Sequence, residues 1–285
     1  MTPSDLIAAR AAREQLALAV RQPEAAIDLA HAALLVAAEE EPRCDVAGYR
    51  AQLYALGMEA RARLSGREGG ERVVALNSYV FAELGFAGNQ HDYYDVRNSL
   101  LHRVLERRTG LPITLSVVYM DIARRAGLHA EGVGLPGHFV VRVRAAEESA
   151  RAALVDPFYG TLIDEDDCQQ RLDTIYGGQV ALTPEHLRAS SARAILVRIL
   201  RNLKAVYVQA GLYRRALAAA ERALLVEPES PEERRDRGTL LAQLERTAEA
   251  VEDLQAYLKL APKAPDADSV REQLKKLKIR LAMLN

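Results

Sequence analysis

Two short stretches decide the fold of this chain: GVGLPGHFVVRV at residues 132–143 and ALVDPFYG at residues 153–160. Each is an apolar run bounded by glycine or proline, which is the pattern of a short strand that ends in a turn. Each also carries one polar residue that such a strand does not need, His138 in the first and Asp156 in the second. The two stretches therefore predict neighbouring strands that carry a histidine and an aspartate.

The residues around these strands predict a mixed segment over residues 71–190. Helical patterns in VVALNSYVFAEL, VRNSLLHRVLERR and ITLSVVYMDIARRAG, the last with Pro112 near its start, precede strands near residues 131–134 and 138–143. A polar turn, AAEESAR, and a third strand, ALVD, follow. Helices followed by a run of antiparallel strands predict an α+β fold with a small antiparallel sheet.

Residues 4–65, within the N-terminal segment 1–70, read as helix almost throughout, with apolar residues at three- and four-residue spacing. Pro23 and Pro42 are natural breaks between these helices. The glycine-rich stretch SGREGGER (65–72) is predicted to be a connecting loop, as is GFAGNQHDYYD (85–95). We therefore expect an N-terminal helical layer that packs on the core.

Residues 191–285 return to helix and contain an internal repeat, in which equivalent residues lie 34 positions apart: Ala216 with Ala250, and Pro228 with Pro262. A 34-residue period of paired helices is the spacing of tetratricopeptide repeats. Lys204 and Glu245 depart from the pattern, since their positions favour a small residue and a glycine. The segment DSVREQLKKLKIRLAML is expected to close the array as a capping helix.

Stacked helix pairs leave a concave groove that suits a peptide or a helix. A protein or peptide partner is therefore expected in the repeats, although two units could also serve only as a structural extension of the core. The net charge of −1 gives no electrostatic footprint for nucleic acid or for an anionic membrane.

No apolar run approaches the roughly 18 residues of a membrane span, and the start of the chain lacks the apolar core of a signal peptide. A cytoplasmic location is therefore expected. No cofactor is expected either, since the phosphate-cradling pattern GxxxxGK[ST] does not occur.

The middle of the chain resembles the transglutaminase-like core, and more narrowly the SirB-type bacterial proteins in which tetratricopeptide repeats follow this core. Three stretches carry the resemblance: NSYVFAELGFAGNQHDYYDVRNSLLHRVLERRTGLPITLSVVYMDIARRAGL, VGLPGHFVVRV and LVDPFYG. It implies a papain-like site in which a cysteine at a helix start attacks, a histidine on a strand transfers a proton, and an aspartate on the next strand orients the histidine. His138 and Asp156 match the second and third positions.

The first position of that site does not match. Where catalytic relatives have glycine, any residue and cysteine, this chain reads GLP at residues 110–112, and Pro112 carries no nucleophile. The nearest hydroxyl groups are those of Thr114 and Ser116. Thr114 could act as the nucleophile with His138 as its base, or it could cap the start of the helix.

The two cysteines, Cys44 and Cys168, form neither a disulfide framework nor a CxxC metal pattern, and neither lies at the helix start. Each is expected to be a small apolar filler. His138 and Asp156 keep three interpretations: a base with its orienter, a ligand-contacting pair in an old active-site cleft, or a hydrogen bond that ties two strands together.

Two further polar clusters receive structural interpretations. The loop GNQHDYYD (88–95), with His102 beyond it, holds imidazole and carboxylate groups, but their spacing matches no zinc pattern, so no metal is expected. This loop and Asn98 are expected to support or line a cleft. The acidic run at residues 164–167 is expected to begin a helix, where negative charge opposes the positive helix end.

The function predicted from the sequence is a catalytically degenerate transglutaminase-like protein that binds a protein or peptide. The alternative is an amide-bond hydrolase or acyl transferase that uses His138 and Asp156 with a non-cysteine nucleophile such as Thr114. The predicted organisation is a helical layer (1–70), a transglutaminase-like core (71–190) and tetratricopeptide repeats with a capping helix (191–285).

Overall fold

The protein is described by a computed structural model that covers residues 2–145 and 152–284. Most of the predicted polar turn AAEESAR, residues 146–151, lies outside the described residues. The chain forms two compact units, Met1–Ile195 and Leu196–Asn285, and each is treated by itself below.

The first unit begins with helices α1 to α4, which span Pro3–Val20, Leu29–Glu40, Val46–Arg63 and Gly69–Asn77. The side chains of Thr2, Asp28 and Asp45 each accept a backbone N–H at the start of the first three. Helix α2 is apolar on nearly every face and is buried accordingly. Helix α4 starts at Gly69, so the prediction of a loop throughout residues 65–72 is wrong in its second half.

Helix α4 continues into a π-helical turn, Ser78–Glu83. The chain then forms strand β1 (Ala87–Gly88), a 3₁₀ turn (Val96–Ser99), helix α5 (Leu101–Arg107), strand β2 (Thr109–Gly110) and helix α6 (Pro112–Arg125). Pro112 is the first residue of α6, as predicted, where a missing backbone N–H costs nothing. Strands β1 and β2 form a short parallel pair, so residues 85–95 are not entirely loop.

A four-stranded antiparallel sheet follows, with the strands in sequence order: β3 (Leu128–Val133), β4 (Val140–Ala145), β5 (Ala153–Asp156) and β6 (Thr161–Ile163). The first two strands are displaced from the predicted bounds, and β6 was not predicted. Helices α4 and α6 pack on the sheet. Cys168 of helix α7 (Glu165–Tyr176) lies in a core cluster with Val133 and Val140.

Helix α8 (Ala192–Gln209) begins at the end of the first unit and continues into the second. The described part of the second unit then contains helices α9 to α12, which span Tyr213–Val226, Pro231–Gln243, Thr247–Leu260 and Ala267–Leu284. Helices α9 and α11 start 34 residues apart, as the repeat predicts. The α+β fold with a following helical array is therefore confirmed. Among the described helices, none combines the length and apolar composition that crossing a membrane would demand.

The two departures from the repeat pattern have clear structural outcomes. Glu245 adopts a φ of 61°, the left-handed conformation that Gly211 adopts 34 residues earlier with a φ of 70°. Lys204, 34 residues before Gly238, is buried, and its Nζ lies 2.6 Å from a carboxylate oxygen of both Glu233 and Asp236. The repeat geometry is thus kept at both positions by a strained backbone and by an ionic cluster.

Candidate functional site

The structure brings His138 and Asp156 together at one end of the sheet. Asp156 is the last residue of β5 and is fully buried, while His138 lies in the turn just before β4, with a side chain that is 11% exposed. Nε2 of His138 is 2.8 Å from Oδ2 of Asp156. Two of the three predicted site residues are therefore in direct contact, although His138 precedes its strand instead of lying on it.

The carboxylate of Asp156 has further partners. Its Oδ1 accepts the backbone N–H of Phe158 at 2.9 Å, and its Oδ2 accepts Nε of Arg171 at 2.8 Å. Burial alone would raise the pKa of Asp156, but the hydrogen bond and charge of His138 and the charge of Arg171 hold that pKa below its ordinary value. Since Asp156 is ionised, Nε2–H of His138 is the donor in the contact between them.

Arg171 is a site residue that sequence reasoning missed. It lies on α7, one residue before the buried Leu172, and its guanidinium carbon is 5.4 Å from the centre of the Tyr159 ring. Its Nη2 also lies 2.8 Å from Oδ2 of Asp156. The only signal in the sequence is a single arginine after the acidic start of a helix, and that signal does not identify its carboxylate.

An open cleft of about 550 Å³ adjoins this cluster. It is lined by side chains from the β5–β6 turn, strand β6 and helix α7, together with the imidazole: His138, Tyr159, Thr161, Gln170, Arg171, Thr174 and Ile175. The Tyr159 ring stacks on His138, with ring centres 6.4 Å apart and planes inclined by 28°. This combination of aromatic and hydrogen-bonding groups in a concave surface is typical of a ligand site.

Thr114, the third predicted site residue, is not brought into that contact. It is 1% exposed, and its hydroxyl donates to the carbonyl oxygen of Asn98 at 2.7 Å. Its Oγ1 also accepts the backbone N–H of Leu111 at 3.1 Å, which is the geometry of a residue that closes the start of α6. Ser116 is buried too and donates to the carbonyl oxygen of Pro112 at 2.7 Å.

The start of α6 is nevertheless close to the Asp156 turn in the fold. Gly88 of β1 is the register partner of Gly110, and its N–H donates to the carbonyl oxygen of Phe158 at 2.9 Å. A Cβ at Gly88 would lie 2.3 Å from the Phe158 ring, so only glycine permits this approach. Gly88 thus lies between Gly110, two residues before Pro112, and Phe158, two residues after Asp156. It is paired with the first and hydrogen-bonded to the second.

Neither cysteine offers an activated thiol. Cys168 is fully buried in the core cluster of the sheet, and burial raises its pKa to about 11. Cys44 lies between α2 and α3, and burial, together with the charges of Glu41 and Asp45, raises its pKa to about 12. A thiol with such a pKa stays protonated near neutral pH, and the thiolate is the nucleophilic form.

The loop at residues 88–95 is organised by Asn98, which is fully buried. Nδ2 of Asn98 donates to the carbonyl oxygen of Asp92 at 2.7 Å, and its Oδ1 accepts Nδ2 of Asn89 at 3.1 Å. The loop places Tyr93 beside Phe158, with ring centres 6.1 Å apart. Asn98 therefore holds this loop beside the turn that contains Phe158.

The other polar clusters also have structural roles. His102 lies 3.0 Å from Glu41, and within the part of the chain that is described no group of three histidine, cysteine or acidic residues is arranged for a metal ion. Asp164 and Asp167 form a capping box at the start of α7, as expected for the acidic run. The glycines of GVGLPG (132–137) have the spacing of a dinucleotide-binding motif, but they lead into β4 and not into the helix that such a motif precedes.

Comparison with known proteins gives a consistent assignment. Residues 47–201 match a family model described as the transglutaminase-like superfamily, and residues 203–275 match a tetratricopeptide repeat model. A protein of Xylella fastidiosa described as a UPF0162 protein is 37% identical over 276 residues, which cover 92% of this chain and 95% of that protein. No solved structure matches the chain.

Two further relatives show how far the similarity extends. A UPF0162 protein of Vibrio cholerae is 28% identical over 253 residues, which cover 88% of this chain and 93% of that protein. F-box only protein 21 of Mus musculus is 40% identical over 85 residues, which cover 30% of this chain and 14% of that protein. The similarity to the bacterial proteins spans both units, whereas the similarity to the mouse protein is confined to one segment.

Proposed function

We propose, from the premise that the chain belongs to the transglutaminase-like superfamily, that it is a catalytically degenerate member which acts by binding another protein. The cleft beside His138 and the tetratricopeptide repeats are the two proposed binding surfaces. The proposal includes the narrower likeness to SirB-type proteins and a cytoplasmic location, where both free cysteines would stay reduced.

One observation carries the proposal: the residues proposed as base and orienter are in contact, but the position proposed for the nucleophile holds proline. His138 and Asp156 keep a 2.8 Å contact, whereas the first residue of α6 is Pro112. Proline has neither a thiol nor a hydroxyl. A helix start that could lower the pKa of a thiol therefore has no thiol to act on.

The groups that could replace the thiol are engaged elsewhere. The Thr114 hydroxyl would have to give up its buried hydrogen bonds to Asn98 and Leu111 before it could attack a substrate. Cys168 is a core residue, and its raised pKa favours the unreactive thiol. Because these groups are already hydrogen-bonded or buried, they support a binding role over a catalytic one.

The remaining geometry favours a binding role. Arg171 and His138 both bind the buried carboxylate of Asp156, so the wall of the cleft keeps its shape without a substrate. Tyr159 and Ile175 offer apolar surface, and Gln170 and Thr161 offer hydrogen-bonding groups beside it. Such a wall suits a peptide segment, which combines apolar side chains with backbone amides. Tetratricopeptide repeats generally mediate protein interactions.

The second candidate is an amide-bond hydrolase or acyl transferase. The observation that favours it is the direction of the His138–Asp156 contact, in which Nε2–H donates to the carboxylate. This contact fixes the tautomer so that Nδ1 is the basic nitrogen, as a general base requires. Such an enzyme would need a hydroxyl or a water molecule as its nucleophile.

Covalent labelling of the purified full chain separates the two candidates. The wild-type protein and a His138→Ala variant are treated with iodoacetamide and with a fluorophosphonate probe, and the modified residues are mapped by peptide mass spectrometry. Degeneracy predicts no label that depends on His138. A label on Thr114 or Ser116 that disappears in His138→Ala would establish the enzyme instead.

A Pro112→Cys variant tests whether the cleft is an old active site at all. Its new thiol is expected to be alkylated at pH 7 about tenfold faster than the same thiol in Pro112→Cys/His138→Ala, because the histidine would stabilise the thiolate. Cys44 and Cys168, whose raised pKa values keep their thiols protonated, should stay largely unmodified in both proteins at pH 7. Equal alkylation rates of the introduced thiol with and without His138 would contradict the assignment of this helix start to a former active site.

A further inference from the structure

The turn that ends α4 is an uncommon structure. Residues Ser78–Glu83 form a π-helical turn, and the N–H of Leu84 donates to the carbonyl oxygen of Tyr79, five residues back, at 2.9 Å. Such turns are rare and are found frequently at functional sites. The wider turn changes the directions in which its side chains leave the helix axis.

Contacts from two other helices hold this turn in place. The buried Tyr119 of α6 donates its hydroxyl to Oδ1 of Asn77, the last residue of α4, at 2.6 Å. The buried Tyr79 donates to Oε2 of Glu59 on α3 at 3.0 Å, and the guanidinium of Arg63 lies 4.2 Å from the centre of the Tyr79 ring. The π-helical turn is thus fixed on both sides.

The turn presents Phe81 to the residues that follow β5. The Phe81 ring stacks on Tyr119, with ring centres 5.7 Å apart and planes inclined by 6°. A Cβ on Gly160 would lie 3.0 Å from Cγ and 3.1 Å from Cβ of Phe81. Gly160 also has a φ of 70°, so both its conformation and its contact with Phe81 favour glycine.

Gly160 closes the turn that begins at Asp156. Its N–H donates to the carbonyl oxygen of Asp156 at 2.8 Å. Within the same turn, the N–H of Phe158 donates to Oδ1 of Asp156, and the ring of Tyr159 stacks on His138. A shift of Gly160 would therefore displace the carboxylate and the ring that both contact His138.

We propose that Phe81 is a positioning residue for the His138–Asp156 pair. The π-helical turn directs its ring against Gly160, and the ring holds the Asp156–Gly160 turn in the conformation that presents the carboxylate to His138. Phe81 acts through this turn, by way of Gly160. The inference uses the site assigned under the proposed function, but it holds whether or not the cleft binds a partner.

The experiment follows the imidazole of His138 directly, in full-length protein labelled with ¹⁵N-histidine. The chain has six histidines, and a His138→Gln variant identifies the signal of interest. Phe81→Leu is expected to move the Nε2 chemical shift of His138 towards its value in Asp156→Asn. The amide of Gly160 should exchange with deuterium about tenfold faster, because its turn loses an aromatic contact.

The control is Phe86→Leu, which removes the same kind of ring from a more deeply buried position, where Phe86 packs under the guanidinium of Arg108. Phe81→Tyr keeps the ring and should retain the wild-type imidazole signals. An unchanged His138 shift in Phe81→Leu would overturn the proposal, and so would an equally large change in Phe86→Leu. Neither the imidazole chemical shift nor the amide exchange rate depends on partner binding or on covalent modification of a nucleophile. Failure of this proposal is therefore distinct from failure of the proposed function.

Discussion

Two ionic clusters of this protein have similar composition and different surroundings. The sheet cluster consists of His138, Asp156 and Arg171, and the repeat cluster of Arg201, Lys204, Glu233 and Asp236. Each is centred on a fully buried carboxylate, Asp156 or Glu233, that binds two basic side chains. Only the sheet cluster contains an imidazole, and only that imidazole lines the open cleft.

The difference separates a scaffold from a site. In the repeat cluster the basic groups are an arginine and a lysine, and their contacts with Glu233 join α8 to α10. In the sheet cluster Arg171 alone could neutralise the carboxylate, and His138 is an additional partner that can also exchange a proton. A buried carboxylate with such a partner, next to a cleft, is the arrangement that chemistry or ligand binding uses.

The largest expected effect is in the repeat cluster. Glu233→Gln should lower the free energy of unfolding of α8 and α10 by about 3 kcal/mol, because it leaves Arg201 without its carboxylate and the buried Lys204 with Asp236 alone. Amide hydrogen exchange of these helices in the full chain measures the change. Asp268→Asn, in the exposed pair with Arg271, is the control and should have little effect. Equal effects of the two substitutions on amide exchange would contradict a structural role for the repeat cluster.

The next effect concerns Asp156. Because its folded pKa is lower than its unfolded value, the unfolded chain binds the proton more readily, and the stability that the carboxylate supplies is lost as the pH falls below about 4. Asp156→Asn should cost about 2 kcal/mol at pH 7. The cost should shrink as the pH falls from 5 to 3, as urea unfolding of both proteins would measure. A cost that is the same at pH 7 and pH 3 would contradict this role for the charge.

The contact between His138 and Asp156 could be predicted from the sequence, but the exact strand bounds and the other partners of Asp156 could not. A hairpin pattern and a family resemblance sufficed to pair His138 with Asp156. The predicted bounds of β4 were displaced because Phe139, just before the first ladder partner Val140, is as apolar as the strand itself, so composition does not mark where pairing starts. Strand β6 has only three residues, which is too short for a period-2 pattern to appear.

Arg171 and the π-helical turn were missed for other reasons. Arg171 reaches its carboxylate from a helix 15 residues further along the chain, and periodicity carries no information about such a contact. The π-helical turn adds one residue to a helical pattern that is otherwise continuous, so VVALNSYVFAEL reads as a single helix. Glu245, in contrast, was visible as an anomaly, since the 34-residue repeat placed it where glycine belongs.

A smaller effect tests the contribution of Arg171 to the sheet cluster. Arg171→Lys keeps the positive charge but loses the planar group that presents Nε and Nη2 to the same oxygen of Asp156. It should cost about 1 kcal/mol, measured by amide exchange in β4 and β5. The matched variant Arg188→Lys alters an exposed ion pair and should change nothing in these strands. If Arg171→Lys leaves amide exchange in β4 and β5 unchanged, His138 and not Arg171 is the partner that sets the position of the Asp156 carboxylate.

The smallest expected effect is a gain in stability. Glu245 adopts a left-handed conformation that is unfavourable for a side chain with a Cβ, and its ion pair with Arg280 is exposed and adds little. Glu245→Gly should therefore raise the free energy of unfolding of the repeats by about 0.5–1 kcal/mol. Arg280→Ala separates the two terms, because it removes the ion pair and keeps the strained backbone. If Glu245→Gly destabilises the repeats as much as Arg280→Ala does, the ion pair contributes more than the strain costs. An exposed ion pair would then stabilise the repeats, which is the role expected of the repeat cluster.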